Sequence, residues 1–249
     1  MNSTKAEAKG QTSRLNRLFN IDQGHINYLV NFSTRFSYIY VETPKAACST
    51  LKRWLQLAEV DEDVSRVPED VHARNQSPLK QIRRASESFW RLYDDPTTFR
   101  FCFVRNPFSR ALSCYLDKLV QDKSTLPRIA PQLGLPADRI VSFRVFLSAV
   151  RDQTDRERDP HWAPQAYLLS PERFRYSFIG RFEFLQRHLD LVARRLGFPK
   201  IPRQRVAPHA TSAAEKIDAY YGPKEIALVQ DIYQQDFEAF GYGWSPDIL

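Results

Sequence analysis

One short segment of the sequence, 43–50, combines charge, small side chains and hydroxyl groups in a way that suits a phosphate. It reads Thr-Pro-Lys-Ala-Ala-Cys-Ser-Thr, with Lys45 as its only charged residue. The residues after the lysine are small or carry a hydroxyl: Ala46, Ala47, Cys48, Ser49 and Thr50. Backbone N–H groups at the start of a helix, together with a lysine, stabilise a bound anion. An ordinary strand-to-helix turn with a surface lysine is the alternative interpretation of this segment alone.

A second segment, 105–113, places an arginine and a serine where they could close on one phosphate. It reads Arg-Asn-Pro-Phe-Ser-Arg-Ala-Leu-Ser. A guanidinium group binds a phosphate through two N–H groups, and the Ser113 hydroxyl adds a third donor. The alternative is that Arg105 pairs with a nearby carboxylate and that Ser113 packs against the sheet.

Both segments follow a predicted strand and lead into a predicted helix. Aromatic and β-branched residues predict strands at 36–42 and 98–104, and a third strand is predicted at 174–182. Ser49 and Thr50 suit the N-cap of the first helix, and Asn106 and Pro107 suit the N-cap and first position of the second. Helices are predicted at 51–55, 108–120, 141–150, 185–196 and 215–240. This alternation predicts an α/β fold with a central, mostly parallel sheet and helices on both faces.

The composition is that of an ordinary globular chain. The 249 residues carry 36 Lys and Arg against 29 Asp and Glu, a net charge of +7, which suits an anionic partner. We predict an N-terminal arm and helix over 1–35 and one domain over 36–249. The sequence holds three cysteines and neither a long apolar run nor the apolar core of a signal peptide. We therefore expect no disulfide framework, no membrane span and a cytoplasmic location.

Two other classes of function remain open from these residues. A P-loop nucleotide kinase or hydrolase would need the glycines of a Walker A loop, which the 43–50 segment lacks. Such an enzyme also places a metal-binding aspartate where this sequence has Arg105. We therefore predict no metal. A non-catalytic module that binds nucleic acid or another anionic polymer would show steeply salt-dependent binding instead.

Taken together, the segments resemble the sulfotransferase superfamily, most closely the carbohydrate sulfotransferases of the chondroitin 4-O and HNK-1 type. The resemblance runs through 43–53, 101–118, 159–165, 178–183 and 236–242. It implies a P-loop-like three-layer fold. It also implies the donor 3′-phosphoadenosine 5′-phosphosulfate and the product adenosine 3′,5′-bisphosphate. By position, Lys45 and the residues 46–50 would hold the 5′-phosphosulfate, and Arg105 and Ser113 the 3′-phosphate. We expect Lys45 also to stabilise the charge that forms on the leaving oxygen.

The transfer also needs a base for the acceptor hydroxyl. Histidine is favoured because its pKa lies near neutral pH. His72 comes between the two phosphate segments, where sulfotransferases carry their base, and is the first candidate. His161 is the rival, although we prefer for it, and for Trp162, a role in binding the acceptor. A saccharide, a lipid-linked sugar or a small alcohol would all fit as the acceptor; we expect a saccharide or glycolipid and no nucleic acid. The basic loop 200–216 either folds over the nucleotide or is solvated.

Overall fold

The computed structural model describes residues 13–83, 86–198 and 211–246. The strands are β1 (Val30–Ser33), β2 (Tyr38–Val41), β3 (Phe99–Val104) and β4 (Phe178–Arg181). The α-helices are α1 (13–18), α2 (Gln23–Leu29), α3 (Cys48–Glu59), α4 (Ser86–Asp94), α5 (Pro107–Tyr115), α6 (Leu126–Ile129), α7 (Phe143–Arg151), α8 (Gln165–Leu169), α9 (Leu185–Leu196), α10 (Ile217–Tyr220), α11 (Pro223–Ile232) and α12 (Gln234–Phe240). A π-helical turn, Leu116–Gln121, continues α5. Within the described ranges, no helix is both long and apolar enough to cross a bilayer.

The chain divides into two compact units. Among the described residues, the first unit comprises 13–83, 86–104 and 168–198, and the second comprises 105–167 and 211–246. The first unit contains the whole sheet, whose strand order is β1-β2-β3-β4. β1 runs antiparallel to β2, whereas β2, β3 and β4 are mutually parallel. The carboxyl ends of β2 and β3 therefore lie at the same edge of the sheet, with Val41 opposite Cys102.

Helices cover both faces of this sheet. One face presents alternate aromatic residues of β2 and β3, among them Tyr40 and Phe101, whose rings stack with centroids 5.2 Å apart. The helices α3 and α9 pack on that face through Leu51, Trp54, Leu55, Leu189 and Val192. On the opposite face, Phe89 of α4 meets Phe32 of β1 at 5.7 Å. The predicted three-layer α/β architecture is confirmed.

Close packing inside the sheet explains one glycine. Gly180 of β4 is paired with Phe103 of β3. A Cβ atom at this position would come within 2.5 Å of the Phe103 ring. Any side chain here would therefore displace a buried aromatic residue, and only glycine fits without such a shift.

The second unit is helical and is built around α5, every residue of which is buried. Phe108 contacts Tyr221 and Phe237 at ring-centroid distances of 5.4 and 5.3 Å. Tyr115, further along α5, contacts Phe146 of α7 at 5.7 Å. The apolar face predicted for the helix after Asn106 thus forms the centre of this unit.

Most of the predicted elements are present, with four differences. The helix predicted over 215–240 is divided into α10, α11 and α12. The strands predicted at 36–42 and 98–104 correspond to β2 and β3, and the third strand is shorter than the predicted 174–182. The helix after the 43–50 loop begins at Cys48, with Ala47 as its N-cap, so Ser49 and Thr50 are not caps as expected. β1 lies within the predicted N-terminal arm, where no strand was expected. Its pairing with β2 is a tertiary contact, which local sequence patterns do not reveal.

Candidate active site

The loop between β2 and α3 folds into a tight turn without any glycine. Lys45 and Ala47 both adopt left-handed backbone conformations, with φ of 69° and 65°. Residues other than glycine adopt this region only at an energetic cost, and such strain is concentrated at functional sites. The turn is closed by the Ala46 N–H, which donates to the Thr43 carbonyl at 3.2 Å. It leads directly into the N-terminus of the 12-residue helix α3. Alternating backbone conformations of this kind turn N–H groups toward one point, where an anion can bind.

A buried ion pair lies directly beneath this loop. Glu42, the residue after β2, is 0% exposed and Lys52 of α3 is 1% exposed. The Lys52 ammonium lies 2.8 Å from the Glu42 carboxylate. The residues meet because Glu42 continues the alternation of Tyr38 and Tyr40 and so points to the sheet face that α3 covers. Charges this deeply buried are stable only when each is paired with an opposite charge.

His72 lies against the same pair and against the loop. Its Nδ1 is 3.3 Å from the Glu42 carboxylate and 3.3 Å from the Lys52 ammonium. Its other ring nitrogen, Nε2, is 3.0 Å from the Ser49 hydroxyl. The backbone of His72 is held by the Asp70 carboxylate, which accepts from its N–H at 2.9 Å. The imidazole therefore contacts the buried carboxylate on one side and Ser49 of the 43–50 segment on the other.

These contacts shift the pKa values of both Glu42 and His72. Burial by itself raises the pKa of Glu42, but the Lys52 charge and the contacts with His72 lower this pKa to about 2. Burial lowers the pKa of His72, but hydrogen bonds to Cys48 and Glu42 raise it to about 9. At neutral pH the imidazole is therefore mostly protonated, with Nδ1 beside the Glu42 carboxylate and Nε2 beside the Ser49 hydroxyl.

The same cluster also brings together atoms that metals favour. A carboxylate oxygen of Glu42, the Cys48 sulfur and a ring nitrogen of His72 lie within 4.8 Å of one another. The Lys52 ammonium, however, already neutralises Glu42 at 2.8 Å. A metal ion would have to displace this buried cation, so we identify no metal ligands here. All three cysteines are free thiols.

Arg105, the first residue of the second unit, is buried and firmly held. Its Nε donates to the Ser109 hydroxyl at 2.9 Å. Its backbone N–H donates to the Gln165 side chain, which in turn donates to the Arg105 carbonyl, both at 2.8 Å. The following helix begins as predicted, because Asn106 accepts from the Phe108 N–H and Pro107 occupies the first position. Ser113 lies two turns further along and accepts from the Thr211 hydroxyl at 3.1 Å. Both side chains are thus fixed before any ligand arrives.

The segment with the rival histidine also lies in the second unit. His161 is half-buried, and its Nδ1 lies 2.6 Å from the Asp159 carboxylate. Trp162 is 0% exposed, and its indole N–H donates to Gln153 at 2.9 Å. Since its ring has no exposed face, Trp162 is not positioned to stack on a sugar, and we do not include it in the proposed acceptor site. Most of the predicted basic loop 200–216 lies outside the described residues.

The structure therefore groups some predicted residues and adds two that sequence reasoning missed. Lys45, the loop residues 46–50 and His72 come together in the first unit, while Arg105, Ser113, His161 and Trp162 belong to the second. The missed residues are Glu42 and Lys52. A carboxylate directly after a buried strand is an available signal for Glu42. Lys52 carries the weaker signal of lying one turn after Ser49, on the same face of α3.

An α/β sheet with an anion-binding loop after a parallel strand is typical of proteins that bind phosphorylated ligands at strand ends. Within that class, the chain belongs to the sulfotransferase family, whose model matches residues 28–243. This match covers the whole sheet and both predicted phosphate segments. It confirms the resemblance inferred from the motifs.

Named relatives are similar over most of this chain. Carbohydrate sulfotransferase 14 of Homo sapiens is 27% identical over 224 residues, which are 84% of this chain and 59% of that protein. The Danio rerio protein of the same name is 28% identical over 236 residues, 86% of this chain and 61% of that protein. Carbohydrate sulfotransferase 10 of Homo sapiens is 26% identical over 241 residues, 85% of this chain and 65% of that protein. The chain thus spans about three fifths of the length of these relatives. No solved structure matches it significantly.

Proposed function

We propose that this protein transfers a sulfuryl group from 3′-phosphoadenosine 5′-phosphosulfate to a hydroxyl group of a carbohydrate acceptor, releasing adenosine 3′,5′-bisphosphate. The observation that carries the proposal is the family match over residues 28–243, which contains both phosphate segments. The names of the relatives support a carbohydrate acceptor. A saccharide or a glycolipid would both provide the hydroxyl.

The 43–50 loop is proposed to hold the 5′-phosphosulfate. Its strained turn and the N-terminus of α3 suit an anion, and Lys45 is half-buried beside them. As the S–O bond breaks, negative charge builds on the oxygen that remains on phosphorus. The Lys45 ammonium is proposed to stabilise that charge, so the step needs no metal. The absence of a metal remains a prediction.

Arg105 and Ser113 are proposed to hold the 3′-phosphate. Arg105 is buried and its Nε is engaged with Ser109, which fixes the plane of the guanidinium. A preorganised arginine loses little side-chain entropy when it binds a phosphate through two N–H groups. This preorganisation supports the proposal that Arg105 binds a terminal phosphate.

His72 is proposed to be the base, and its Nε2 the accepting atom. Only the unprotonated imidazole can take the proton of the acceptor hydroxyl. Since the pKa of His72 is raised to about 9, the active form increases with pH through the neutral range. His161 is proposed to orient the acceptor, because the Asp159 carboxylate fixes its ring at 2.6 Å.

The test begins with ligand binding. Adenosine 3′,5′-bisphosphate at about 100 times its Kd should add about 2.7 kcal/mol of stability and raise the Tm by about 5–10 °C. ADP and ATP–Mg²⁺ serve as matched nucleotides without the 3′-phosphate, and Lys45→Met as the control variant. Transfer of labelled sulfate to a saccharide or glycolipid then tests the reaction itself. A protein stabilised by ATP–Mg²⁺ but not by the bisphosphate would contradict the proposal.

A further inference from the structure

We propose that Glu42 is a positioning residue for the reaction: its buried carboxylate holds Nδ1 of His72 so that Nε2 faces the 43–50 segment, named here the donor loop, while Lys52 holds the carboxylate. The inference rests on the proposed role of His72 as the base. It adds two residues, one directly after β2 and one in α3, to which neither the motifs nor the family match assigns a role.

The first support is burial. Glu42 and Lys52 are 0% and 1% exposed, so neither charge is solvated. A buried ion pair contributes little net stability compared with apolar residues of similar size. It therefore needs another reason to be present, and the group that shares the carboxylate is His72. Nδ1 of its ring lies 3.3 Å from the carboxylate of Glu42.

The second support is direction. With Nδ1 facing Glu42, the opposite nitrogen, Nε2, is left pointing at Ser49 of the donor loop, 3.0 Å away. A carboxylate 3.3 Å from Nδ1 favours the tautomer that keeps its proton on Nδ1 and leaves the lone pair on Nε2. Nε2 is then the atom that takes the hydroxyl proton from the acceptor. The resulting imidazolium is stabilised by Glu42, and its proton is later released to solvent.

The surroundings of His72 are mixed in charge. Besides Glu42 and Lys52, the groups that face it are Cys48 and Ser49 of α3. Asp70, on the same loop as His72, accepts from its backbone, and the Arg74 guanidinium interacts electrostatically with Glu42. Glu42 is the only one of these that places a carboxylate against a ring nitrogen of His72 in the described part of the chain. Removing its charge should therefore lower the titration midpoint of His72.

The experiment compares Glu42→Gln with the double variant Glu42→Gln/Lys52→Met. The single variant leaves a buried lysine without its partner, and the double variant removes both charges so that folding is retained. The titration of His72 is followed by the NMR signals of its ring. Asp159→Asn is the matched control, because it also removes a carboxylate from beside a histidine. The Asp159 carboxylate lies 2.6 Å from Nδ1 of His161.

We expect the titration midpoint of His72 to fall by more than one pH unit in the Glu42 variants and to stay unchanged in Asp159→Asn. We expect kcat to fall at least tenfold, with the acid limb of its pH profile moving to lower pH, while the Kd for adenosine 3′,5′-bisphosphate changes less than threefold. An unchanged midpoint, or an unchanged kcat in the folded double variant, would overturn the inference. Failure of the proposed function would look different. The wild-type protein would then bind no bisphosphate and transfer no sulfate, while the titration midpoint of His72 would still shift in the Glu42 variants.

Discussion

The replacement of Lys52 by methionine tests the energetics of the buried cluster most directly. Methionine fills a similar volume without charge, so the variant leaves the Glu42 carboxylate buried with one partner fewer. At the observed 2.8 Å, and with an effective dielectric constant of about 20, the lost attraction is about 6 kcal/mol. Removing one partner of a buried pair typically costs about 3–5 kcal/mol of folding stability.

His72 determines where in that range the loss should fall. Its ring nitrogen is 3.3 Å from the same carboxylate and is protonated below about pH 9. At pH 7 the imidazolium therefore compensates part of the charge, and we expect a loss of about 3 kcal/mol. The loss should grow as the ring loses its proton at higher pH, because Glu42 then has no cationic partner at hydrogen-bonding distance among its described neighbours.

Urea unfolding at pH 7 and pH 9.5 measures both values. Arg91→Met is the matched control, because Arg91 forms an exposed ion pair with Glu87 at 3.7 Å and should cost less than about 1 kcal/mol. A loss below 1 kcal/mol at pH 7 in Lys52→Met, or no further loss at pH 9.5, would refute the reasoning.

Three further outcomes are expected. Stability should fall as the pH rises from 6.5 to about 9, because the folded state holds the His72 proton more tightly than the unfolded chain does. It should also fall as the pH drops from 4.5 to about 2, where Glu42 takes up a proton. Urea midpoints that stay flat in both windows would contradict this. Arg105→Ala should weaken adenosine 3′,5′-bisphosphate about 10- to 150-fold, since a charged hydrogen bond contributes about 1.5–3 kcal/mol; equal affinity by calorimetry would show that Arg105 does not hold the phosphate. His72→Ala should lower turnover far more than donor binding, and a nearly normal turnover beside an inactive His161→Ala would identify His161 as the base.

Sequence predictions were correct where a structural element depends on neighbouring residues, and failed where it depends on residues distant in the chain. The aromatic alternation of β2 and β3 and the Asn106-Pro107 helix start are local, and the structure contains all of them. The same is true of the helix that ends at Gly197, which caps α9 with a φ of 67°. β1 was not predicted, because four residues become a strand here only through pairing with β2. The N-cap of α3 was misplaced, since the loop adopts strained conformations that residue type does not favour.

The candidate site shows the same division. Residue types alone were enough to propose Lys45, the 46–50 loop and Arg105, because charge, small size and strand-end position are properties of short segments. The association of Glu42, Lys52 and His72 was decided by tertiary structure, which buries a strand end under α3 and brings a loop 30 residues away against it. Burial also decided that Trp162 has no exposed ring face. Short segments carry chemistry, but the dielectric surroundings that shift a pKa and the partner that a buried charge requires exist only once distant parts of the chain have packed together.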